Sequence, residues 1–530
     1  MSFSVIYRGL HACTHVVPPP KSIWLIITVR NASQYIERCL ASISIQESQS
    51  TVKVAICDDA STDGTAELIQ TWIESSPFFV HFVKNSDRKY KLRNLIDLLK
   101  SAPIQNDDIC CFLDGDDSLI ATNALQTVIS KYESTGCWIT YGSYRGYQND
   151  ACCCREMTQE EKTKNDYRNM QWIFSHLFTF RYFLWKSIPE SYFNFNQEVM
   201  YQYTADMIMN IPLLELAKSS RIQYISTPLY KYNDISSLND CKVNSSSQEY
   251  VDKQVRILKP VATPIYPCYD YAIIIPYRKR QANLNITYKS IKESIKQTSK
   301  RIHVILFEHS ESPEAEQFCR ENTIEYIYVP LSNISNLDQF NRALSFDMSV
   351  IYGLPASGYV CHDVDMFIPV NFWELLETNL KNQCVTVLQT YANRCVNNMR
   401  QEITEQLHIG LIDYTDINDI HCIHPKSPGS WGGSLYIDRN TYYAVGGHDP
   451  DIFAGYGPED QSIAFKCTMS GNTIGFANDP PIELYHQYHT PTATTNPHLD
   501  KMTYTFEILK VKTDEFKNYM SDKQKFMMMC

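Results

Sequence analysis

Two loops of this 530-residue chain that carry aspartates at alternate positions stand at the ends of apolar runs, Asp114-Gly115-Asp116-Asp117 and Asp363-Val364-Asp365. Carboxylates spaced this way on one loop can share a hard cation, which prefers oxygen ligands and can bridge the oxygens of a diphosphate. Asp-Gly is also ordinary turn chemistry, so one such loop says little alone. Each has company. The first is preceded by Thr28-Val29-Arg30-Asn31 and by Asp58-Asp59-Ala60-Ser61-Thr62-Asp63-Gly64-Thr65, and is followed by Tyr203-Thr204-Ala205-Asp206 ahead of an apolar run, Met207–Ala217. The second is preceded by Pro276-Tyr277-Arg278-Lys279-Arg280, two arginines where a diphosphate or base could lie, and by Phe340-Asn341-Arg342-Ala343. It is followed by Trp431-Gly432-Gly433-Ser434, Gly446-Gly447-His448, Gly455-Tyr456-Gly457-Pro458-Glu459-Asp460 and His486-Gln487-Tyr488-His489. Glycines in such stretches let backbone approach a ligand closely or form simple turns.

The elements around these loops have a rhythm. Apolar Ile23–Val29, Val52–Cys57 and Ile109–Leu113 are expected strands, and each is followed by a polar loop and a stretch of helical periodicity: Ala32–Ser44, Thr65–Glu74 and Ala121–Tyr132. Alternating strand and helix implies a mostly parallel sheet, whose ligands sit at the carboxyl ends of strands, where the acidic loops fall. After a serine-rich stretch, Asn233–Glu249, and the prolines Pro260, Pro264 and Pro267, the rhythm restarts with Ala272–Ile275. Strands His303–Phe307 and Tyr359–Cys361 and helices Leu284–Lys296 and Pro313–Asn322 are expected in this half. The expected division is an N-terminal tail over 1–20, a domain over 21–240, a linker over 241–268, a second domain over 269–497 and a charged tail over 498–530.

Composition agrees with two domains, since one core rarely serves more than about 300 residues. With 44% apolar and 12% aromatic residues, disorder and fibrous classes fall away. A net charge of −11 without a basic block gives no nucleic-acid footprint. Eighteen cysteines, including Cys110-Cys111 and Cys152–Cys154, read as reduced, mostly buried thiols. The first twenty residues make a poor signal peptide, and the apolar runs are too short for a membrane helix. A cytoplasmic protein is expected, of a bacterium or a virus-infected host cell, free or peripheral to a membrane.

The first half, over about residues 21–240, resembles the inverting family-2 glycosyltransferases with a GT-A nucleotide-diphospho-sugar-binding fold, through Ile26–Asn31, Ala55–Ile69 and Phe112–Leu119. That resemblance implies nucleotide contacts at Thr28, Arg30, Asp58, Asp59 and Asp114, a metal ligand at Asp116 and a general base at Asp206. The plain alternative for Asp206 is a helix N-cap, which Asp serves well, while its order and distance along the chain favour the base. The family usually has Glu-Asp where this chain has Ala205-Asp206. His176 lies in a stretch that some members share, and a packed histidine is the plain alternative. The second half, over about 270–492, resembles the family-7 β-1,4-galactosyltransferases and N-acetylgalactosaminyltransferases. Nucleotide-sugar contacts are thereby implied at Pro276, Arg278, Arg280, Asp363, Trp431, Gly432 and Gly433, and metal ligands at Asp365, His486 and His489. The same resemblance implies a base at Asp460 and an acceptor contact at Glu459, with Tyr456 and Trp431 able to stack on sugar faces.

Together these imply an α/β chain of two tandem GT-A domains, a plan resembling chondroitin-type polymerases. The expectation is a bifunctional, metal-dependent inverting hexosyltransferase using Mn²⁺ or Mg²⁺. It would transfer two sugars from nucleotide donors, UDP-sugars being the expected ones, to a glycan or glycoconjugate acceptor in polysaccharide biosynthesis. The alternative keeps one domain catalytic, the C-terminal one, and makes the other a nucleotide-sugar or glycan-binding module.

Overall fold

The computed structural model describes residues 14–148, 154–194, 200–235, 245–261, 265–331, 339–391, 394–396, 400–416, 422–423, 431–450, 452–453, 459–487 and most of 503–529. The chain divides into two compact units: residues 17–266, and residues 267 onward together with the N-terminal segment up to Val16.

A short strand, β1 (Thr14–Val16), precedes the first unit. That unit is built on β2 (Ser22–Val29), β3 (Thr51–Asp58), β4 (Phe79–Lys84), β5 (Ile109–Asp114), β6 (Ser118–Leu119), β7 (Ile139–Gly146), β8 (Ser175–Arg181) and β9 (Ile222–Tyr232). All of β2 is buried, as a strand must be when a parallel sheet is covered on both faces. The sheet order is β4-β3-β2-β5-β8-β7-β9-β6; β4, β3, β2 and β5 run parallel and β8 returns antiparallel. Ile36, Leu40 and Ile43 of the helix Ile36–Ser44 join Ile23, Leu25, Ile27 and Val54 in one apolar cluster. Helix Ser245–Ile257 belongs to this unit: the guanidinium of Arg168 donates to the carbonyl of Val255 while pairing with Glu215.

The second unit repeats this core with β10 (Tyr269–Tyr277), β11 (Ile302–Ser310), β12 (Glu325–Pro330) and β13 (Ala356–His362). A short β14 (Met366–Phe367) follows, then β15 (Val387–Tyr391), β16 (Arg394–Val396), β17 (Cys422–Ile423), β18 (Trp431–Asp438), β19 (Ile474–Phe476) and β20 (Tyr485–His486). The main sheet runs β1-β12-β11-β10-β13-β18-β15-β19, and a small one β14-β20-β16-β17. Here β12, β11, β10 and β13 are parallel and β18 antiparallel. Both units thus order their leading strands third-second-first-fourth and add an antiparallel fifth beside the fourth.

The C-terminal helix Thr513–Met529, in a segment that reads from sequence as a charged tail without chemistry, buries Phe516, Met520 and Met527 in the second unit's core. Eleven of the described cysteines are thiols outside any disulfide, buried except for Cys384. Among the described residues no helix is long and apolar enough to cross a membrane.

Candidate functional site

In the first unit, parallel pairing sets Thr28 beside Cys57 and Asp114, and Val29 beside Asp58, so the carboxyl ends of β2, β3 and β5 meet. The loop after β5 is drawn onto β2 by the amide of Gly115, which donates to the carbonyl of Thr28 at 3.2 Å. A Cβ on Gly115 would lie 2.5 Å from Cβ of Val29, so the residue between Asp114 and Asp116 has to be glycine at this separation. Asp58 is fully buried and accepts from the amide of Ser61. Asp59 accepts from the side chain of Asn85 and the amides of Lys89 and Tyr90. Burial opposes its charge, yet these donors hold it below the ordinary carboxylate range. Arg30 donates to the carbonyl of Asp59 at 3.0 Å.

The acidic loop is electrostatically strained. Burial, and then the neighbouring Asp114, push Asp116 up to about 6. Burial with Asp116 and Asp114 pushes Asp117 up to about 8, although Tyr230 Oη and the amide of Asn233 donate to it at 2.6 Å each. Asp206 is the second residue of the helix Ala205–Ala217 and is half-exposed. Burial works against its charge, and Lys91 and His176 outweigh it, holding Asp206 below its ordinary value. The Lys91 ammonium lies 2.8 Å from Asp114 and 3.1 Å from Asp206. His176 stacks on the ring of Tyr230 with centroids 4.3 Å apart.

In the second unit Asp363 follows β13 and is bracketed by Gly433: its amide donates to the carbonyl of Gly433 at 2.9 Å, and the Gly433 amide donates back to Oδ2 at 3.3 Å. Gly433 has φ of +96°, which suits glycine. Arg342 Nε donates to Asp363 at 2.8 Å, and Nη1 to Asp460 at 2.7 Å and Glu459 at 3.3 Å. Arg342, Gly433, Ser434, Gln389, Thr390 and Asp460 line a small pocket. Burial and then Asp460 push Glu459 up to about 8, and burial raises Asp460 against the opposing charge of Arg342. Asp460, like Asp206, is the second residue of its helix, Glu459–Met469.

Pairing of β14 with β20 sets Met366 opposite His486, and His486 Nε2 comes within 3.5 Å of Asp365 Oδ1. Two ligands on one ion at bonds of about 2.1 Å lie roughly 3–3.5 Å apart, so this pair fits a shared divalent cation. Arg280 takes the other oxygen of Asp365 at 2.5 Å, and Arg278 pairs with Glu311. Pro276 is buried within β10. Among the described residues no group of three or more His, Cys, Asp or Glu converges as a ligand set. His489 and Gly455–Pro458 lie outside the described residues, and of Trp431 and Gly432 only the strand is described.

The bridging role of one cation in each unit is what sequence reading missed. Lys91 opens the helix Lys91–Ser101 and Arg342 opens the helix Arg342–Tyr352, each the helix just before the strand that carries the acidic loop. Each touches the first carboxylate of that loop and the aspartate at the start of a later helix. Arg342 lay inside a noted motif, whereas Lys91 had no signal except that four nearby carboxylates require a counter-charge. Arg38, which donates to the carbonyl of Asp116 at 2.9 Å, was likewise unmarked.

Residues 24–187, all within the first unit, match the model of glycosyl transferase family 2. The abequosyltransferase RfbV of Salmonella typhimurium is 35% identical over 94 residues, 18% of this chain, and the chain spans 27% of that relative's length. TarS 1–349 of S. aureus, solved in complex with UDP-GlcNAc, aligns with TM-score 0.31 and 16% identity over 40% of this chain and 58% of its own. The mannosyltransferase PcManGT from Pyrobaculum calidifontis, solved with GDP-Man and Mn²⁺, aligns with TM-score 0.32 and 17% identity over 49% of this chain and 71% of its own. The α/β, GT-A-like fold class expected from the sequence is the one observed.

Proposed function

We propose that the chain is a tandem inverting glycosyltransferase, each unit moving one sugar from a nucleotide donor, UDP-linked, to a glycan acceptor. The observation that carries this reading is a recurrence: in each unit one cation joins the first carboxylate of the acidic loop to an aspartate in the first turn of a later helix. The family-2 match over residues 24–187 and the abequosyltransferase relative support sugar transfer by the first unit. The second unit's reading rests on its own motifs, those resembling the family-7 transferases.

The chemistry follows from the carboxylates. Asp206 in the first unit and Asp460 in the second take the proton of an acceptor hydroxyl, whose oxygen attacks the anomeric carbon as the diphosphate departs from the opposite face. Glu459, largely protonated at neutral pH, donates a hydrogen bond to the acceptor sugar. Asp116 in one unit, and Asp365 with His486 in the other, would hold a divalent cation, Mn²⁺ being the better match for mixed oxygen and imidazole ligands. When bound, such an ion stabilises charge on the leaving diphosphate. Thr28, Arg30 and Asp58 frame the nucleotide of the first unit, and Arg280, Asp363 and Gly433 that of the second.

The test is transfer by single variants of the full chain with a panel of UDP-sugars and simple acceptors. Asp206→Asn should abolish one transfer and Asp460→Asn another, each by at least about 100-fold. Loss of one and the same transfer in both variants would sink the two-site reading.

A further inference from the structure

We infer that Lys91 is a positioning residue for transfer in the first unit, its ammonium tying the base Asp206 to the nucleotide-side carboxylate Asp114. The inference deepens the function proposed above and rests on it. Three distances carry it: Lys91 Nζ stands 2.8 Å from Oδ1 and 2.9 Å from Oδ2 of Asp114, and 3.1 Å from Oδ1 of Asp206.

Stability alone is a weak reason for this arrangement. The Lys91 side chain is 29% exposed and that of Asp206 50%, and ion pairs this open to water contribute little to folding. The bridge does fix a relative position. Asp206 starts its helix, with no side-chain cap bond at Thr204, so the carboxylate is held by what it meets across the site. Asp114 is rigid by comparison, since it ends the parallel strand β5 and its amide donates to Tyr230 Oη. A lysine at the first position of Lys91–Ser101 therefore carries the register of the sheet to the base. Arg342 spans the corresponding pair, Asp363 and Asp460, from the first position of the corresponding helix. Two units that share strand order but differ in side chain meet one geometric need with different cations.

The groups facing Asp206 are Lys91 from its helix and His176 from β8, with Asp114 beyond the ammonium. Burial opposes the charge on Lys91, yet Asp114 and Asp206 keep it protonated well above its ordinary range. Its positive charge in turn helps keep Asp206 ionised and ready to accept a proton.

The experiment compares full-length parent, Lys91→Met and Lys91→Arg on the transfer that Asp206→Asn abolishes. Lys91→Met should lower kcat at least about 30-fold with KM for the donor within about threefold, and Lys91→Arg should retain kcat within about fivefold of the parent. A raised KM with kcat intact would overturn the inference in favour of donor binding, as would parent-like kinetics in Lys91→Met or failure of arginine to rescue. An activity-free readout separates this inference from the functional reading it rests on. In a ¹³C titration of carboxylates without added metal, Asp206 should titrate below the ordinary aspartate range in the parent and return to it in Lys91→Met. An Asp206 titration that ignores the substitution overturns the bridge, whether or not any sugar is transferred. If the parent transfers no sugar while the titration moves, the functional reading fails and the bridge stands.

Discussion

Glu459 shows how burial decides a residue's chemistry. Its carboxyl is all but enclosed, one oxygen meets no donor, and Asp460 adjoins it, so it holds a proton up to about pH 8 against an ordinary value of 4.5. Because the folded state binds that proton more tightly than the unfolded chain, stability falls as pH rises from about 4.5 to about 8. Glu459→Gln removes the titration and keeps the shape. Its melting temperature should therefore match or trail the parent below pH 5 and exceed it near pH 9 by a few degrees, at about 2–4 °C per kcal/mol. A melting series across that range checks this, and a gap that stays constant with pH would refute it. Gly115 is a second case. Alanine there must push the acidic loop off Val29, whose Cβ stands 2.5 Å from the new methyl. Displacing Asp114 and Asp116 by about 1 Å should cost the first unit's transfer on the order of 100-fold while leaving the second's untouched, a split that donor-specific assays read directly.

Elements were legible in proportion to how locally their physics is written. The all-apolar run Ile23–Val29 read as a buried strand because a central parallel strand meets hydrophobic layers on both faces, and all of β2 is buried. The C-terminal helix did not read as core, since its charged sequence gives no sign that Lys523 is swallowed whole. Its ammonium lies 2.9 Å from Asp347 and 3.7 Å from Asp449, all fully buried, with Lys466 2.8 Å from Asp449. Gly447 closes over this network, where a Cβ would meet Asp347 at 2.4 Å, and Tyr442 and the amide of His448 donate to the same carboxylate. Replacing Lys523 with methionine strands two buried carboxylates with one lysine. The expected loss is about 3–5 kcal/mol, the usual cost of removing one partner from a buried pair. Chemical denaturation of the full chain would measure it, and a change under about 1 kcal/mol would show that the helix is held by Phe516 and Met520 without the ion network.

For the molecule as a whole, repetition was the most legible feature and charge compensation the least. Two acidic loops and two strand-helix rhythms are visible in the sequence because each is contiguous, and the strand orders that bear them are alike. Lys91 and Arg342 stand 23 and 21 residues before the first carboxylate of their loops, too far for any helical or strand period to mark them, so only the folded chain brings them to Asp114 and Asp206, or to Asp363 and Asp460. Residues expected as a linker include the helix Ser245–Ile257, because a polar, serine-rich composition hides Val251 and Val255, the two buried side chains that tie it down. The repetition also makes a quantitative demand. In each unit carboxylates crowd the strand ends with fewer cations than they need, so a nucleoside diphosphate alone meets like charge there, whereas a divalent cation would neutralise the loop and bridge to the diphosphate. Calorimetric titration with UDP should give weak binding without metal and, in excess Mn²⁺, two UDP per chain. Asp116→Asn should remove one of these and Asp365→Asn the other, with the remaining affinity unchanged within about threefold, as expected of sites that share no residues. One UDP per chain, lost with Asp365→Asn and indifferent to Asp116→Asn, would instead make the second unit the transferase and leave the first as a binding module for the glycan.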